Sequence, residues 1–392
     1  MPIKKSRLFE PFSFPNGLRL RNRVVMAPMT TWSGNDDGTV SDEEISYYRR
    51  RVGGVGLALT GCTHVTANGI GFTGEFAAYD DKYIPSLQQL ADAAKSGGAP
   101  AILQIFHAGN KAEPDLVPDR DVVSSSAVPI AAGPFNPGGV VPRPLSHDEI
   151  LDVIAEFGAA TRRAIEAGFD GIELHGAHGF LLQNFFSPFY NKRDDEWGGS
   201  PENRMRFPLA VVAEVKRVIS EFATRPFLLG YRISPEESED GGLRINDAYG
   251  LIDRLIDVGV DYLHASLANV LEAKPLSNTG EHTIAELIAT RVAGRVPVIA
   301  AGQMRTPEQA NRALELGLSL VAVGQGLVIN PNWVELSASG QENLIESAVR
   351  TSNVPKIELP TKLWGVIQTA TGWFKVDDDL AERADQADQA SA

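Results

Sequence analysis

From residue 24 onward the chain repeats one unit: a short apolar run, a polar loop, a capped amphipathic stretch, a glycine, and the next apolar run. Eight such runs recur, near residues 24–29, 56–60, 100–105, 170–174, 227–233, 261–265, 296–300 and 319–323. Most are continuously apolar rather than alternating, which predicts parallel strands covered on both faces. The stretches between them predict helices. Ser41…Glu44, Ser146…Glu149 and Thr306…Gln309 carry capping-box spacing, in which a hydroxyl and a carboxylate or amide satisfy the orphan N–H groups of a helix start. After Ser146, the residues Ile150, Val153, Ile154, Phe157, Ala164 and Ile165 keep one helix face apolar. Gly168, Gly259 and Gly317 each stand just before a run, where glycine ends the preceding helix in the left-handed conformation. Eight βα units with no acidic-polar linker between them predict an α/β fold, a closed (β/α)₈ TIM barrel over residues 1–350. The alternative is a doubly wound open sheet with a second domain. The absence of G-x-G-x-x-G after the first run counts against it.

Two segments stand outside the repeat. Phe12 to Leu20, FSFPNGLRL, predicts an N-terminal β-hairpin, with Asn16 and Gly17 both taking positive φ in the turn. Residues 351–392 predict a C-terminal extension that packs Trp364, Ile367 and Trp373 onto the barrel. Its charged, low-complexity end, DDDLAERADQADQASA, predicts disorder.

Charge narrows the list of partners. The net charge is −14, which disfavours nucleic acid and anionic membranes as general partners but allows a local pocket for one phosphate. A lone cysteine, Cys62, excludes an internal disulfide and a cysteine-rich metal or iron–sulfur site. The start, MPIKKSRLFEPFSFPNG, has two lysines with no apolar stretch behind them, and no run approaches the ~20 residues of a membrane helix. A cytoplasmic location is expected, and a homo-oligomer is compatible with the sequence.

In a barrel of this kind the chemistry sits at the C-terminal ends of the strands. Those positions hold Pro28-Met29-Thr30, Gly61-Cys62, Gln104, His175, Arg232, Ser266, Gly302-Gln303 and Gly324-Gln325. Hydrogen-bonding groups, a cation and glycines, with little carboxylate, suit a polar, planar, partly anionic ligand better than a metal. His175 and His178, in ELHGAHGF, are spaced to share one side of a helical turn. They read as a metal pair lacking an evident third ligand, as two donors to a carbonyl oxygen, or as turn caps. Arg232 is either a buried ion-pair partner or a holder of a delocalised anion. Gln104 offers a donor and an acceptor to the edge of a heterocycle. The glycines after the seventh and eighth runs, in AAGQMRTPEQ and VGQGLVINPNW, read equally as tight turns or as a backbone cradle for a phosphate.

Three segments carry a family resemblance: RNRVVMAPMT, ILQIFHAGNKA and ELHGAHGFLLQNFFSPFYNKRDDEWGGSPENRMRF. They resemble the old yellow enzymes, from about Leu8 to Asn332, and the branch of bacterial NADH-dependent flavin oxidoreductases in particular. The resemblance implies FMN across the barrel mouth, with NADH or NADPH as hydride donor and a small-molecule electron acceptor such as an activated alkene, enone or quinone. It implies that Pro28, Met29, Thr30 and Cys62 contact the flavin ring. Gln104 would take the pyrimidine edge and Arg232 the N1–O2 side, while Gly302, Gln303, Gly324 and Gln325 would hold the phosphate. His175 and His178 would bind the substrate oxygen, and Trp32 would shape the substrate pocket. No metal is implied.

Two departures qualify the resemblance. Phe180 stands where most relatives carry the tyrosine that protonates the substrate α-carbon, so water or another residue, such as Tyr190, must act instead. Gln325 stands where relatives carry arginine, which removes one phosphate cation. Two other functions are carried alongside. One is a flavin-binding barrel with little turnover. The other is a non-flavin barrel enzyme acting on a phosphorylated substrate, disfavoured because Lys111 and Lys274 lie farther out in loops.

Overall fold

The computed structural model describes residues 6–133, 135–277 and 280–377. Each of the eight apolar runs is a strand: β1 (Val24–Met26), β2 (Leu57–His64), β3 (Ala101–Phe106), β4 (Gly171–Gly176), β5 (Leu228–Ile233), β6 (Tyr262–Ser266), β7 (Val298–Ala301) and β8 (Leu320–Val323). All neighbours pair in parallel, and pairing of β1 with both β8 and β2 closes the (β/α)₈ barrel. Helices α1 (Asp42–Arg51), α2 (Ile84–Lys95), α3 (His147–Glu166), α4 (Pro201–Phe222), α5 (Ile245–Val258), α6 (Ile284–Val292) and α7 (Pro307–Glu315) follow the first seven strands. Short helices at Gln325–Ile329 and Trp333–Ala338 follow β8.

Strand residues alternate between two cores, which explains the continuous apolar runs. Val24 and Met26 pack outward under the helices, while Val25 and Ala27 point into the barrel with Leu57, Ile102, Leu228 and Tyr262. The hairpin Phe12–Ser13/Arg19–Leu20 belongs to the inner core: Phe14 and Leu20 are buried there, with the Phe14 ring 6.0 Å from that of Tyr262. The hairpin therefore plugs the barrel floor. Its turn corrects the expectation. Only Gly17 has positive φ (93°), because Asn16 instead uses its side chain to accept the Leu18 N–H at 3.1 Å.

β2 runs four residues past its expected end. Its register with β3 shifts between Leu59 and Cys62, and this irregularity brings Cys62 level with Gln104. Such irregularities re-aim side chains at barrel rims. Ser146 and Thr306 form full capping boxes as expected. Ser41 caps only the Glu44 N–H; the Glu44 carboxylate turns away and accepts the Thr31 hydroxyl inside the protein.

Glu44 is fully buried, and that burial raises its pKa from 4.5 to about 7. The folded chain therefore keeps a proton that the unfolded chain gives up between those values. The resulting stability is complete below pH 4.5 and is lost as pH rises through 7, by roughly 3 kcal/mol. Glu44→Gln is expected to flatten this slope, so that its melting temperature gains on the wild type between pH 5 and pH 8. An unchanged difference across that range would show that Glu44 does not titrate there.

Arg51, fully buried, stacks over Tyr47 at 4.0 Å and donates to the carbonyls of Val328 (3.2 Å) and Ile357 (2.7 Å). It thus fastens the chain beyond residue 350 to the barrel. There, in the helix Thr361–Thr369, Leu363 and Ile367 enter the outer core, while Trp364 and Trp373 pack against it partly exposed. The acidic end from residue 378 lies outside the described residues. No helix among the described residues is long and apolar enough to cross a membrane.

Candidate active site

The C-terminal ends of the strands enclose one cleft with two connected lobes of about 230 and 210 Å³. Pro28, Met29, Arg232 and Trp373 line both lobes. Gly302, Gln303, Gly324 and Gln325 line the first; Thr30, Cys62, Gln104, His175, His178, Trp32 and Phe180 line the second. Every residue expected from the sequence to bind cofactor or substrate thus borders this cleft.

Strand register builds its floor. Gln104 pairs with Glu173, and Arg232 lies level with both His175 and His264. Gln104 Nε2 donates to Glu173 at 2.7 Å, and His264 Nδ1 lies 2.9 Å from the other carboxylate oxygen. Burial alone would raise the Glu173 pKa, but His264 and then Arg232 hold it below the ordinary carboxylate value. The anion in turn offsets part of the burial that lowers Arg232. Arg232 donates through Nη2 to Ser266 at 3.1 Å, while its buried Nε has no partner. Glu173 and His264 carried no sequence signal as functional residues, since both lie within the strands and not at their ends.

The two histidines do not share a helical turn. His178 has a left-handed backbone (φ 59°), its N–H bonded to Ser234 at 3.0 Å, and the ring centroids lie 4.9 Å apart. His175 Nδ1 accepts the Ala177 N–H at 3.3 Å, which leaves Nε2–H as its donor. His178 Nε2 is 2.7 Å from the Ser266 hydroxyl. Because that oxygen already accepts from Arg232, its own proton is free for Nε2, and we assign the His178 ring proton to Nδ1. Both pKa values are well below 6.5: burial lowers each first, followed by the neighbouring His178 for His175 and by Arg232 and Lys111 for His178. His178 is open to the cleft all the same. Two neutral imidazoles, each with one N–H donor, suit a developing oxyanion.

At the other lobe Gly302 is required, and Gly324 is more tolerant because it faces only the flexible end of Met29. A Cβ on Gly302 (φ 152°) would lie 2.2 Å from the Leu267 carbonyl, and one on Gly324 would lie 3.1 Å from Met29 Sδ. The start of α7 is not a free anion site, because Gln309 Oε1 accepts the N–H groups of Arg305 and Thr306. A second guanidinium borders this lobe. Arg305 lines this lobe, bonds Gln325 Oε1 at 2.8 Å and keeps its buried Nε unpaired. It stands in the AAGQMRTPEQ segment, where an arginine three residues beyond a strand-end glycine was the available signal. With unpaired guanidinium nitrogens in both lobes and a glycine-walled end, the residues present fit FMN.

A roof of aromatic rings covers the mouth. Trp32 (φ 54°), Phe135 and Trp373 lie 5.3–5.7 Å apart, and Gln325 Nε2 donates to the Trp373 carbonyl. Cys62 is buried, with Sγ 3.5 Å from the Thr30 hydroxyl, and burial pushes its thiol pKa well up. Tyr190 donates to Glu239 at 2.8 Å and is not among the residues lining the cleft.

The sequence profile of the NADH:flavin oxidoreductase / NADH oxidase family matches residues 7–343. The chain belongs to this family. The oxidoreductase is 42% identical over 378 residues to a probable NADH-dependent flavin oxidoreductase, YqiG, of Bacillus subtilis, covering 96% of this chain and 100% of that protein. It is 39% identical over 361 residues to an NADH:fumarate oxidoreductase of Klebsiella pneumoniae, covering 91% of this chain but only 38% of that longer protein. Among solved structures, morphinone reductase in complex with tetrahydroNAD superposes with a TM-score of 0.71 at 26% identity, covering 85% of this chain and 90% of the other. The oxidoreductase is thus an old yellow enzyme homologue using FMN and a reduced nicotinamide.

Proposed function

We propose that this chain takes hydride from NADH or NADPH and passes it to a small electron-poor acceptor: an alkene conjugated to a carbonyl or carboxyl group, or a quinone. Relatives named for fumarate and acrylate support that acceptor class. The observation that carries the proposal is the pair of neutral imidazoles facing one cleft beside Arg232. Bound FMN supplies hydride storage and transfer. The protein supplies placement and charge. Arg232 would neutralise charge on the reduced cofactor, Gln104 would orient it, and Gly302, Gln303, Gly324 and Gln325, with Arg305, would hold its phosphate. His175 Nε2–H and His178 Nδ1–H grip the acceptor oxygen more strongly as it gains negative charge. Thr30, Cys62 and Met29 line the ring end, and Trp32 and Phe180 bound the acceptor. The lone buried thiol of Cys62 and the lack of a membrane-length helix among the described residues support a cytoplasmic location.

The test is a visible spectrum. The purified protein is expected to be yellow, to release FMN and not FAD on boiling, and to bleach on stepwise addition of NADH or NADPH under nitrogen. A colourless protein that also fails to bind added FMN would reject the proposal.

A further inference from the structure

Lys111 is not a remote loop residue. It closes the short turn Gly109–Lys111 after β3, and its side chain lines a cavity that adjoins the cleft and shares His178, Phe180, Phe72 and Phe135 with it. Its Nζ donates to the His178 carbonyl at 2.5 Å and lies 5.8 Å from the centre of the Phe180 ring. The fit is close. A Cβ on Gly179 (φ 70°) would come within 3.2 Å of Nζ. Lys111, His178, Phe180, Phe72, Ile130 and Phe135 line this cavity of about 350 Å³, and His178 joins it to the cleft. One N–H of the ammonium is committed to the carbonyl; two remain.

We propose that Lys111 supplies the proton to the α-carbon of the reduced alkene, the task that tyrosine performs in relatives and that Phe180 cannot. The inference rests on the reading of the chain as an alkene-reducing flavin oxidoreductase. Hydride from the reduced cofactor forms the C–H bond at the β-carbon, and the alkene π electrons move toward the α-carbon and the oxygen held by the histidines. The α-carbon then uses that electron pair to form a C–H bond as one N–H bond of the ammonium breaks. The neutral amine regains its proton from water, so the cycle closes without a further reactant.

The surroundings of Nζ favour this release. Burial lowers the Lys111 pKa from its ordinary value, with Glu239 and Glu237 opposing, and the neutral His175 and His178 face it from the β4 side. A lysine shifted toward neutrality is a better acid near working pH than an exposed one.

The experiment separates acid, anchor and structural roles. Lys111→Arg keeps the positive charge but holds its proton too tightly to release it, and Lys111→Met removes both. Stopped-flow reoxidation of the reduced protein by cyclohexenone is expected to slow about 100-fold in both variants, relative to reoxidation by a benzoquinone, which needs no carbon protonation. Adding Phe180→Tyr to Lys111→Arg is expected to restore most of the enone rate. In the wild type the enone rate is expected to fall as pH rises through the Lys111 titration. Competitive acetylation of the flavin-free protein, read by peptide mass spectrometry, is expected to give Lys111 a lower pKa than the surface lysines. A wild-type rate in Lys111→Arg with loss only in Lys111→Met would assign charge anchoring instead and overturn the proposal. So would a Lys111 that titrates with the surface lysines. Should a variant fail to fold, the wild-type pH profile and labelling decide. Failure of NADH to reduce the flavin at all would instead strike the underlying reading, and the two failures are thus told apart.

Discussion

Replacing both His175 and His178 with alanine is expected to lower enone turnover on the order of 10⁴-fold. One donor to a developing oxyanion typically contributes about 3 kcal/mol, and here two donors are lost. The lowered pKa values matter to this outcome. Neutral rings keep one N–H each to donate and avoid adding two buried charges next to Arg232 and Lys111. Phenols, which present an anionic oxygen, are expected to lose their charge-transfer band with the flavin in the same variant. Flavin content is expected to stay close to normal, since neither ring lines the glycine-walled lobe. A double variant that binds phenols normally would remove the histidines from the acceptor site. Loss of a metal on purification would revive the ligand reading of the pair.

Arg232→Met is expected to be the most damaging single substitution for the cofactor. The guanidinium offsets Glu173, which has no solvent exposure, and its removal leaves that charge with only His264 and Gln104. Removing the cation leaves the buried carboxylate less compensated and lowers stability. The Ser266 hydroxyl also loses the donor that fixes its direction toward His178. Flavin occupancy, measured as the visible-to-ultraviolet absorbance ratio after purification, is expected to fall at least ~10-fold with this loss of a buried positive charge. Adding Glu173→Gln should recover most of the stability without recovering the flavin, since it removes the stranded anion and not the missing cation. A yellow, fully loaded Arg232→Met protein would show that the cation is a structural counter-ion alone.

The barrel was readable because strands buried on both faces cannot hide: Val24 to Ala27 must be apolar at every position, whichever core each side chain enters. The end of β2 was not. TGCTH looks polar, and only the register shift before Cys62, which no periodicity encodes, keeps the strand paired to His64. Likewise, Ser41 and Glu44 have the spacing of a capping box, but Thr31 claims the carboxylate from outside the helix. The strand-end rule located the residues that line the cleft, because position along a barrel strand is itself an address. It could not locate Lys111 or Arg305. From loops, the Arg305 side chain reaches the cleft and that of Lys111 the cavity beside it, and what brings them there is a contact across the chain, with Gln325 in one case and His178 in the other.

The hairpin under the barrel also governs traffic through the enzyme. With Phe14 and Leu20 buried at one end, the cleft lies at the other, beside Trp32, Phe135 and Trp373. Donor and acceptor would then dock at one berth beside the histidines, and each would have to depart before the other arrives. The reaction would divide into two halves separated in time and not in space, and a mimic of either visitor would bar the door to both.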